Sequence, residues 1–137
     1  MNVFASLHGF TDWGLLALRL ALAATFLAHG RMKFGMWKMQ PNDQMSAGRI
    51  NLMRLLSVCE TLGAVALLVG FLTQLAALGL AIIMLGALNL KIRTMKAGFV
   101  VRDKPGWEFE LLILAMAVAL LFTGAGTFAL DRVWFAL

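Results

Sequence analysis

Four long stretches of the sequence are apolar and almost free of charged side chains, and this pattern limits what the chain can fold into. They cover about residues 13–30, 51–71, 72–90 and 107–124. A helix needs about 20 mostly apolar residues to cross the bilayer core. Hydrophobic residues make up 61% of the chain and charged residues 14%, too few to cover the surface of a soluble domain. The pattern therefore predicts an all-α fold: one membrane domain, residues 1–137, in which four transmembrane helices form a bundle.

The basic residues are concentrated in the two long connections of this predicted bundle, and the net charge of +5 reflects that concentration. Positively charged loops are retained in the cytoplasm, so we expect both connections there and both termini outside the cytoplasm. No basic, aromatic-rich surface of domain size is left over, so we expect the lipid bilayer and not nucleic acid as the partner. The bases of the two connections are Arg31, Lys33, Lys38, Arg49, Lys91, Arg93, Lys96, Arg102 and Lys104.

Several function classes are disfavoured by what the sequence lacks. Residues 1–12 contain no Lys or Arg, and no small-residue cleavage site follows the first apolar stretch, so we expect that stretch to be retained as a span. Cys59 is the only cysteine, which excludes an internal disulfide, a paired-cysteine redox motif and a cysteine metal cage. We predict no metal site and no intrinsic cofactor.

Two charged residues lie deep inside the predicted spans and are candidate functional residues. Arg19 lies in the first span and Glu60 in the second, at similar depths when each is counted from the first connection. Because charges in the bilayer core require partners, we expect an Arg19–Glu60 ion pair. This pair has two interpretations: a clamp between two helices, or a substrate anchor and proton relay.

A second polar group is expected nearer the cytoplasmic side. His29 and Lys33 are four residues apart and share a helix face with Arg19, and Glu108 begins the fourth span. We expect these residues to line a cavity that opens to the cytoplasm, with Arg19 and Glu60 at its floor. Glu60 and His29 are the candidates for proton transfer, whereas Arg19, Lys33 and Glu108 are binding candidates. Glu110 points elsewhere on the helical wheel, so we expect it to face the headgroups.

A series of short sequence pieces lies in order along the chain: residues 19–30 (RLALAATFLAHG), 33–35 (KFG), 60–63 (ETLG), 68–73 (LVGFLT), 98–99 (GF), 106–109 (GWEF), 124–126 (GAG) and 130–131 (LD). In these pieces, over roughly residues 15–131, the chain resembles the DoxX family of small bacterial and archaeal membrane proteins. One departure is that many members carry a histidine near the end of the third helix, where this chain has Asn89, Lys91 and Thr94.

The resemblance implies a four-helix protein of the bacterial or archaeal cytoplasmic membrane. Name-giving members of the family are linked to thiosulfate:quinone oxidoreductase, and others to oxidative-stress and thiol-redox systems. A quinone-linked or thiol/sulfur-redox accessory subunit is therefore expected, with a quinone as its ligand and a redox protein or a second copy as its partner. Two alternatives stay open: a non-catalytic scaffold subunit of a larger complex, and a small-solute transporter.

Overall fold

The computed structural model describes residues 3–104 and 106–135, which fold into five α-helices. Short 3-10 helices precede and follow the first α-helix, and a π-helical turn extends the third. The described residues contain no β-strand, so the predicted all-α fold is confirmed. The α-helices are α1 Thr11–Lys33, α2 Ala47–Val69, α3 Thr73–Asn89, α4 Glu108–Thr123 and α5 Leu130–Phe135; the 3-10 helices are Val3–Phe10 and Phe34–Lys38, and the π-helical turn is Leu90–Thr94.

The four long helices form a bundle in which chain neighbours run antiparallel. α1 packs most extensively on α2 and α3 on α4, while smaller contacts between α2 and α3 and between α1 and α4 close the ring. The connections 34–46 and 95–107 lie at one end, which we call the loop end. The opposite end, which we call the turn end, carries the short α2–α3 turn and α5, because Asp131 contacts that turn.

The α2–α3 turn depends on backbone conformation and on a distant carboxylate. Gly70 ends α2 with a φ of 70°, a region that favours glycine. α3 lacks a side-chain cap from its own neighbouring residues. Instead, Asp131 accepts hydrogen bonds from the backbone N–H groups of Leu72 (2.5 Å) and Thr73 (2.8 Å). A carboxylate at a helix N-terminus satisfies N–H groups that lack helical partners and interacts favourably with the helix dipole.

The interior of the bundle is narrow because many of its residues are small. Residues three and four apart on each helix point inward, as helical packing requires. Small side chains let helices approach closely where lipid supplies no hydrophobic driving force between them. The core contains Leu22, Ala23, Phe26, Ala64, Leu67, Ala77, Leu80, Ala81, Met84, Ile113, Ala117 and Leu120.

The outer surface of the bundle is apolar, which suits a lipid environment. Leu62 on α2, Leu75 on α3 and Phe122 on α4 are each more than 60% exposed. Exposed leucine, isoleucine and valine residues continue along α2 and α3. A surface of this kind on a soluble monomer would be an association site, whereas lipid tails cover it without cost.

Three helical stretches are long and apolar enough to cross a bilayer: Ser6–Lys38, Ala47–Val69 and Thr73–Thr94. They correspond to the first three predicted spans, each extended or shifted by a few residues. α4 lies where the fourth span was predicted, but it has only 16 residues. At 1.5 Å per residue this helix covers about 24 Å, less than the ~30 Å hydrocarbon core. The fourth crossing and the side on which the termini lie therefore stay predictions.

Candidate functional site

An ion pair joins the last turn of α1 to the middle of α2. The Lys33 ammonium donates to Oε1 of Glu60, a residue more than three turns into α2. The Glu60 side chain is 1% exposed and that of Lys33 25%. The second carboxylate oxygen of Glu60, Oε2, is buried and has no hydrogen-bond partner among the described residues. Glu60 is therefore enclosed while Lys33 is partly exposed, and the carboxylate is left with one unused acceptor.

His29 lies one turn before Lys33 on α1 and faces α4. Its ring stacks on Phe109 with 5.5 Å between ring centroids and 19° between ring planes. Phe109 belongs to the first turn of α4, so this contact brings α4 against α1. The structure thus pairs two of the predicted residues, Lys33 and Glu60, whereas His29, one turn earlier on α1, contacts α4.

The first turn of α4 carries two glutamates whose surroundings differ. Glu110 is 8% exposed and pairs with Lys91, with 2.8 Å between Nζ and Oε1. Lys91 also donates to the carbonyl of Gly106 at 2.9 Å. Glu108 folds back over Gly106, and its Oε2 is buried without a hydrogen-bond partner among the described residues. Glu110 was expected to face the headgroups; this was wrong, because the π-helical turn holds Lys91 against α4.

The predicted Arg19–Glu60 ion pair is absent. The guanidinium of Arg19 is fully buried at the turn end, where it donates only to carbonyl oxygens. Its Nε atom lies 2.9 Å from the carbonyl oxygen of Leu67, seven residues after Glu60. The prediction counted both depths from the same connection. In the structure the first two turns of α2 pack against the segment that follows α1, which displaces Arg19 toward the turn end.

The segment after α1 is fixed to α2 by Trp37 and Arg54. Nε1 of Trp37 donates to the buried hydroxyl of Ser57 at 3.1 Å. Arg54 donates to the carbonyl oxygens of Met36 (3.2 Å) and Met39 (3.0 Å). Their side chains hold the connection against α2, one to two turns before Glu60.

The described residues form two cavities, and neither is at the place where the cytoplasm-facing cavity was predicted. One, of about 360 Å³, is at the turn end beside Asp12 and Asp131. The other, of about 260 Å³, is a groove between α2 and α3 on the lipid-facing side. Neither is lined by His29, Lys33 or Glu60. Because Arg19 lies at the turn end, a single cavity with both Arg19 and Glu60 at its floor does not form.

Lys91 and Glu110 form an ion pair that the sequence reasoning missed, in which Glu110 is buried and Lys91 partly exposed. Lys91 was assigned to a loop because the third apolar stretch ends at Leu90. The missed signal is its spacing from two inward-facing residues of α3, Met84 and Leu88, which lie seven and three positions earlier. A helix that continues past Leu90 keeps Lys91 near that face. Among the described residues, no group of three or more His, Cys, Asp or Glu side chains is placed to hold a metal ion.

Comparison with known proteins identifies the family. A DoxX family model matches residues 14–92, more than half of the chain. The chain belongs to the DoxX family. The match contains Arg19, His29, Lys33 and Glu60, and it ends at residue 92, before Glu108 and Glu110. The DoxX pattern predicted for residues 98–131 therefore lies outside the matched region.

A relative of similar length supports the DoxX assignment. The uncharacterized membrane protein Rv3486 of Mycobacterium tuberculosis (strain ATCC 25618 / H37Rv) is 30% identical over 142 residues, covering 92% of this chain and 84% of the relative. No solved structure matches the chain significantly. The protein is thus a DoxX-family membrane protein, and its function has to be argued from its own residues.

Proposed function

We propose that this DoxX-family protein is an accessory subunit of a redox system and binds a quinone beside Glu60 and His29. The observation that carries the proposal is that the two oxygens of the Glu60 carboxylate differ. One pairs with Lys33, and the other is buried and accepts no hydrogen bond from the described residues. A quinol hydroxyl donates the hydrogen bond that such an oxygen accepts. The stacked rings of His29 and Phe109, one turn of α1 away, offer a flat surface for an aromatic ligand.

The proposed chemistry is proton exchange. Reduction of a quinone to a quinol adds two electrons and two protons. The sequence carries no dinucleotide or paired-cysteine motif, so we assign the electrons to a partner redox protein. Glu60 Oε2 and a ring nitrogen of His29 exchange the two protons with the quinone oxygens, while the Lys33 ammonium compensates the charge of the carboxylate.

Quinone binding by the purified protein tests this proposal. The protein in lipid nanodiscs is titrated with a short-chain ubiquinone or menaquinone, and binding is read from quenching of tryptophan fluorescence. We expect Glu60→Gln to weaken binding at least tenfold. Glu110→Gln is the matched control, because Glu110 is also buried and also paired with a lysine. Equal quinone affinities for wild type, Glu60→Gln and Glu110→Gln would contradict the proposal.

A second outcome would identify the ion pair as a clamp only. Under the redox proposal, Glu60→Gln keeps an oxygen that accepts from Lys33, so the protein keeps its membrane abundance, but quinone-dependent turnover of its partner is abolished. If Glu60→Gln instead lowers abundance, and the double variant Lys33→Met/Glu60→Met restores both abundance and turnover, the pair serves only to hold α1 to α2.

The orientation that fits this function is four crossings of a bacterial or archaeal cytoplasmic membrane, with the loop end in the cytoplasm. Two observations support it. α4 runs from the loop end, where Glu110 contacts Lys91, to the turn end, where Gln74 donates to the carbonyl of Leu121. The exposed bases of connections 34–46 and 95–107 lie at the loop end, as the positive-inside rule requires of a cytoplasmic side.

A scaffold subunit is the second candidate function, and the groove between α2 and α3 favours it. The groove is lined by Gly63 and Gly79, by the exposed thiol of Cys59, and by aliphatic side chains. Small residues on a lipid-facing surface allow a transmembrane helix of a partner, or of a second copy, to approach closely. Gly79→Leu would fill the groove. Loss of a co-purifying membrane protein in that variant, with quinone binding intact, would favour the scaffold.

A further inference from the structure

The cavity at the turn end is a second polar site, separate from the Glu60 region. Its volume of about 360 Å³ lies in the range of about 300–1,000 Å³ that small-molecule sites occupy. Its walls come from the starts of α1, α3 and α5, the end of α4 and the segment between α4 and α5. Six of the nine lining residues have polar or charged side chains: Asp12, Gln74, Thr123, Thr127, Asp131 and Arg132.

The walls of this cavity are held in place by hydrogen bonds from Arg19 and to Asp131. Arg19 donates to the carbonyl oxygens of Ala125 (2.9 Å) and Phe128 (2.8 Å), which fixes the segment between α4 and α5. Both oxygens of Asp131 accept backbone N–H groups at the start of α3. Asp131 is therefore part of the wall, and its hydrogen-bonding capacity is largely used. The cavity is formed by the fold itself and does not require a loop to close.

Two charged groups in the cavity retain capacity for a ligand. Asp12 accepts a hydrogen bond from the backbone N–H of Thr127 at 3.1 Å, and a carboxylate has about four acceptor positions. Arg132 is exposed and forms no ion pair with any described carboxylate. The two residues come from different walls, α1 and α5. The cavity thus offers one anion and one cation that lie close enough to interact electrostatically but form no ion pair with each other.

We propose that this cavity binds a zwitterion, with its ammonium group at Asp12 and its phosphate or carboxylate group at Arg132. Two sources carry this chemistry: the headgroup of phosphatidylethanolamine, and a small free zwitterion such as phosphoethanolamine or an amino acid. The aromatic side chains around the cavity indicate headgroup depth. The rings of Trp13 and Phe128 lie 4.6 Å apart, and those of Phe71 and Trp134 6.2 Å apart. Tryptophan is enriched at the membrane interface. This site does not depend on the redox proposal.

Lipid retention in native mass spectrometry tests the site. The full chain is equilibrated with equimolar phosphatidylethanolamine and phosphatidylglycerol that have identical acyl chains. We expect the wild type to retain phosphatidylethanolamine at least fivefold over phosphatidylglycerol, and Asp12→Asn and Arg132→Gln each to remove that preference. Asp12→Asn keeps an oxygen that accepts from Thr127, so the wall is preserved. The controls are Asp43→Asn and Arg102→Gln, which change exposed charges at the loop end and should retain the preference within twofold.

Soluble phosphoethanolamine and glycine separate the two sources. Displacement of bound phosphatidylethanolamine by phosphoethanolamine assigns the site to the headgroup. If the soluble zwitterions raise the thermal midpoint of the wild type but not of the variants, and no lipid preference exists, the ligand is a free solute. Equal or better retention of phosphatidylglycerol, without stabilisation by either soluble compound, overturns the proposal. So does an unchanged lipid preference in both cavity variants, once their thermal midpoints show that they are folded.

Discussion

Arg19 shows how a single charged residue is accommodated inside this apolar bundle without a carboxylate in contact with it. Its guanidinium donates to four carbonyl oxygens, two from the last turn of α2 and two from the segment after α4. The carbonyl end of a helix carries a partial negative charge, so the last turn of α2 is a suitable partner for a cation. The fork of five N–H donors explains why arginine, and not lysine, suits this position.

Replacing Arg19 should therefore destabilise the protein more than replacing any exposed base. Arg19→Met leaves four buried carbonyl groups without donors, and we expect a loss of about 2–4 kcal/mol of unfolding free energy. Arg19→Lys should recover part of that loss, because an ammonium has fewer donors and no fork. Denaturant titration in detergent measures both, with the exposed Arg93→Met as control. Equal stability of Arg19→Met and Arg93→Met would refute this account.

The Lys33–Glu60 pair predicts a different pattern, because here a buried carboxylate has a partly exposed lysine as its hydrogen-bond partner. Removing one partner leaves an unpaired charge, and we expect Lys33→Met or Glu60→Met alone to cost about 3–5 kcal/mol. The double variant should lie within about 1–2 kcal/mol of the wild type, since apolar residues fill the same space without a desolvation cost. A double-mutant cycle on unfolding free energy measures the coupling. Additive losses would mean that the two side chains do not depend on each other.

The contact between α1 and α2 depends on the absence of a side chain at Gly30. A Cβ atom there would lie 2.6 Å from the Thr61 hydroxyl and 3.4 Å from the Ser57 carbonyl oxygen. The two helices therefore approach closely beside the Lys33–Glu60 pair. This close approach is what places an α1 ammonium within reach of an α2 carboxylate.

We expect Gly30→Ala to lower stability by about 1–3 kcal/mol, because the methyl group must either displace the Thr61 hydroxyl from its hydrogen bond to the Ser57 carbonyl oxygen or push the helices apart. Gly86→Ala is the matched control: a Cβ at Gly86, within α3, would meet nothing within 4 Å. That substitution should be neutral or stabilising by up to about 1 kcal/mol through helix propensity. Thermal or denaturant unfolding in detergent compares the two. The packing argument fails if the two substitutions change stability equally.

The helices were predictable from the sequence, but the register between them was not. Apolar stretches of membrane-spanning length located α1 to α4 within a few residues, because such a signal is local. The pairing of Glu60 required knowing how far α1 and α2 overlap. That overlap depends on Trp37 and Arg54, which hold the 34–39 segment against α2. Such contacts join residues that are distant in the sequence and produce no repeating hydrophobic pattern. Arg19 was therefore assigned the wrong partner.

At the scale of the whole molecule, the shortness of α4 leaves the number of crossings to be tested. Three crossings put Arg102 and Arg132, which flank α4, on the same side of the membrane, whereas four put them on opposite sides. We expect opposite sides, because α4 extends between the two ends of the bundle.

Cysteine labelling distinguishes these topologies. In a Cys59→Ala background, Arg102→Cys should react with a membrane-impermeant maleimide only from the cytoplasmic side, and Arg132→Cys only from the opposite side. Both positions are exposed, so access to the reagent does not limit the reaction. In the wild-type protein, used as a separate control, Cys59 lies in the lipid-facing groove and should react from neither side. Labelling of Arg102→Cys and Arg132→Cys from one common side would exclude the fourth crossing.

The contacts of Arg19 also determine at what point in synthesis its buried guanidinium gains its full set of hydrogen-bond acceptors. A ribosome adds Ala125 106 residues after Arg19, so α1 enters the bilayer with its guanidinium only partly satisfied. A buried charge without its full set of partners is costly in lipid. Translation that stops before residue 125 leaves the guanidinium with only the carbonyl oxygens of Leu67 and Leu68 as partners, and we expect such a product to be degraded faster than the full chain. The arginine thus distinguishes a finished molecule from a truncated one.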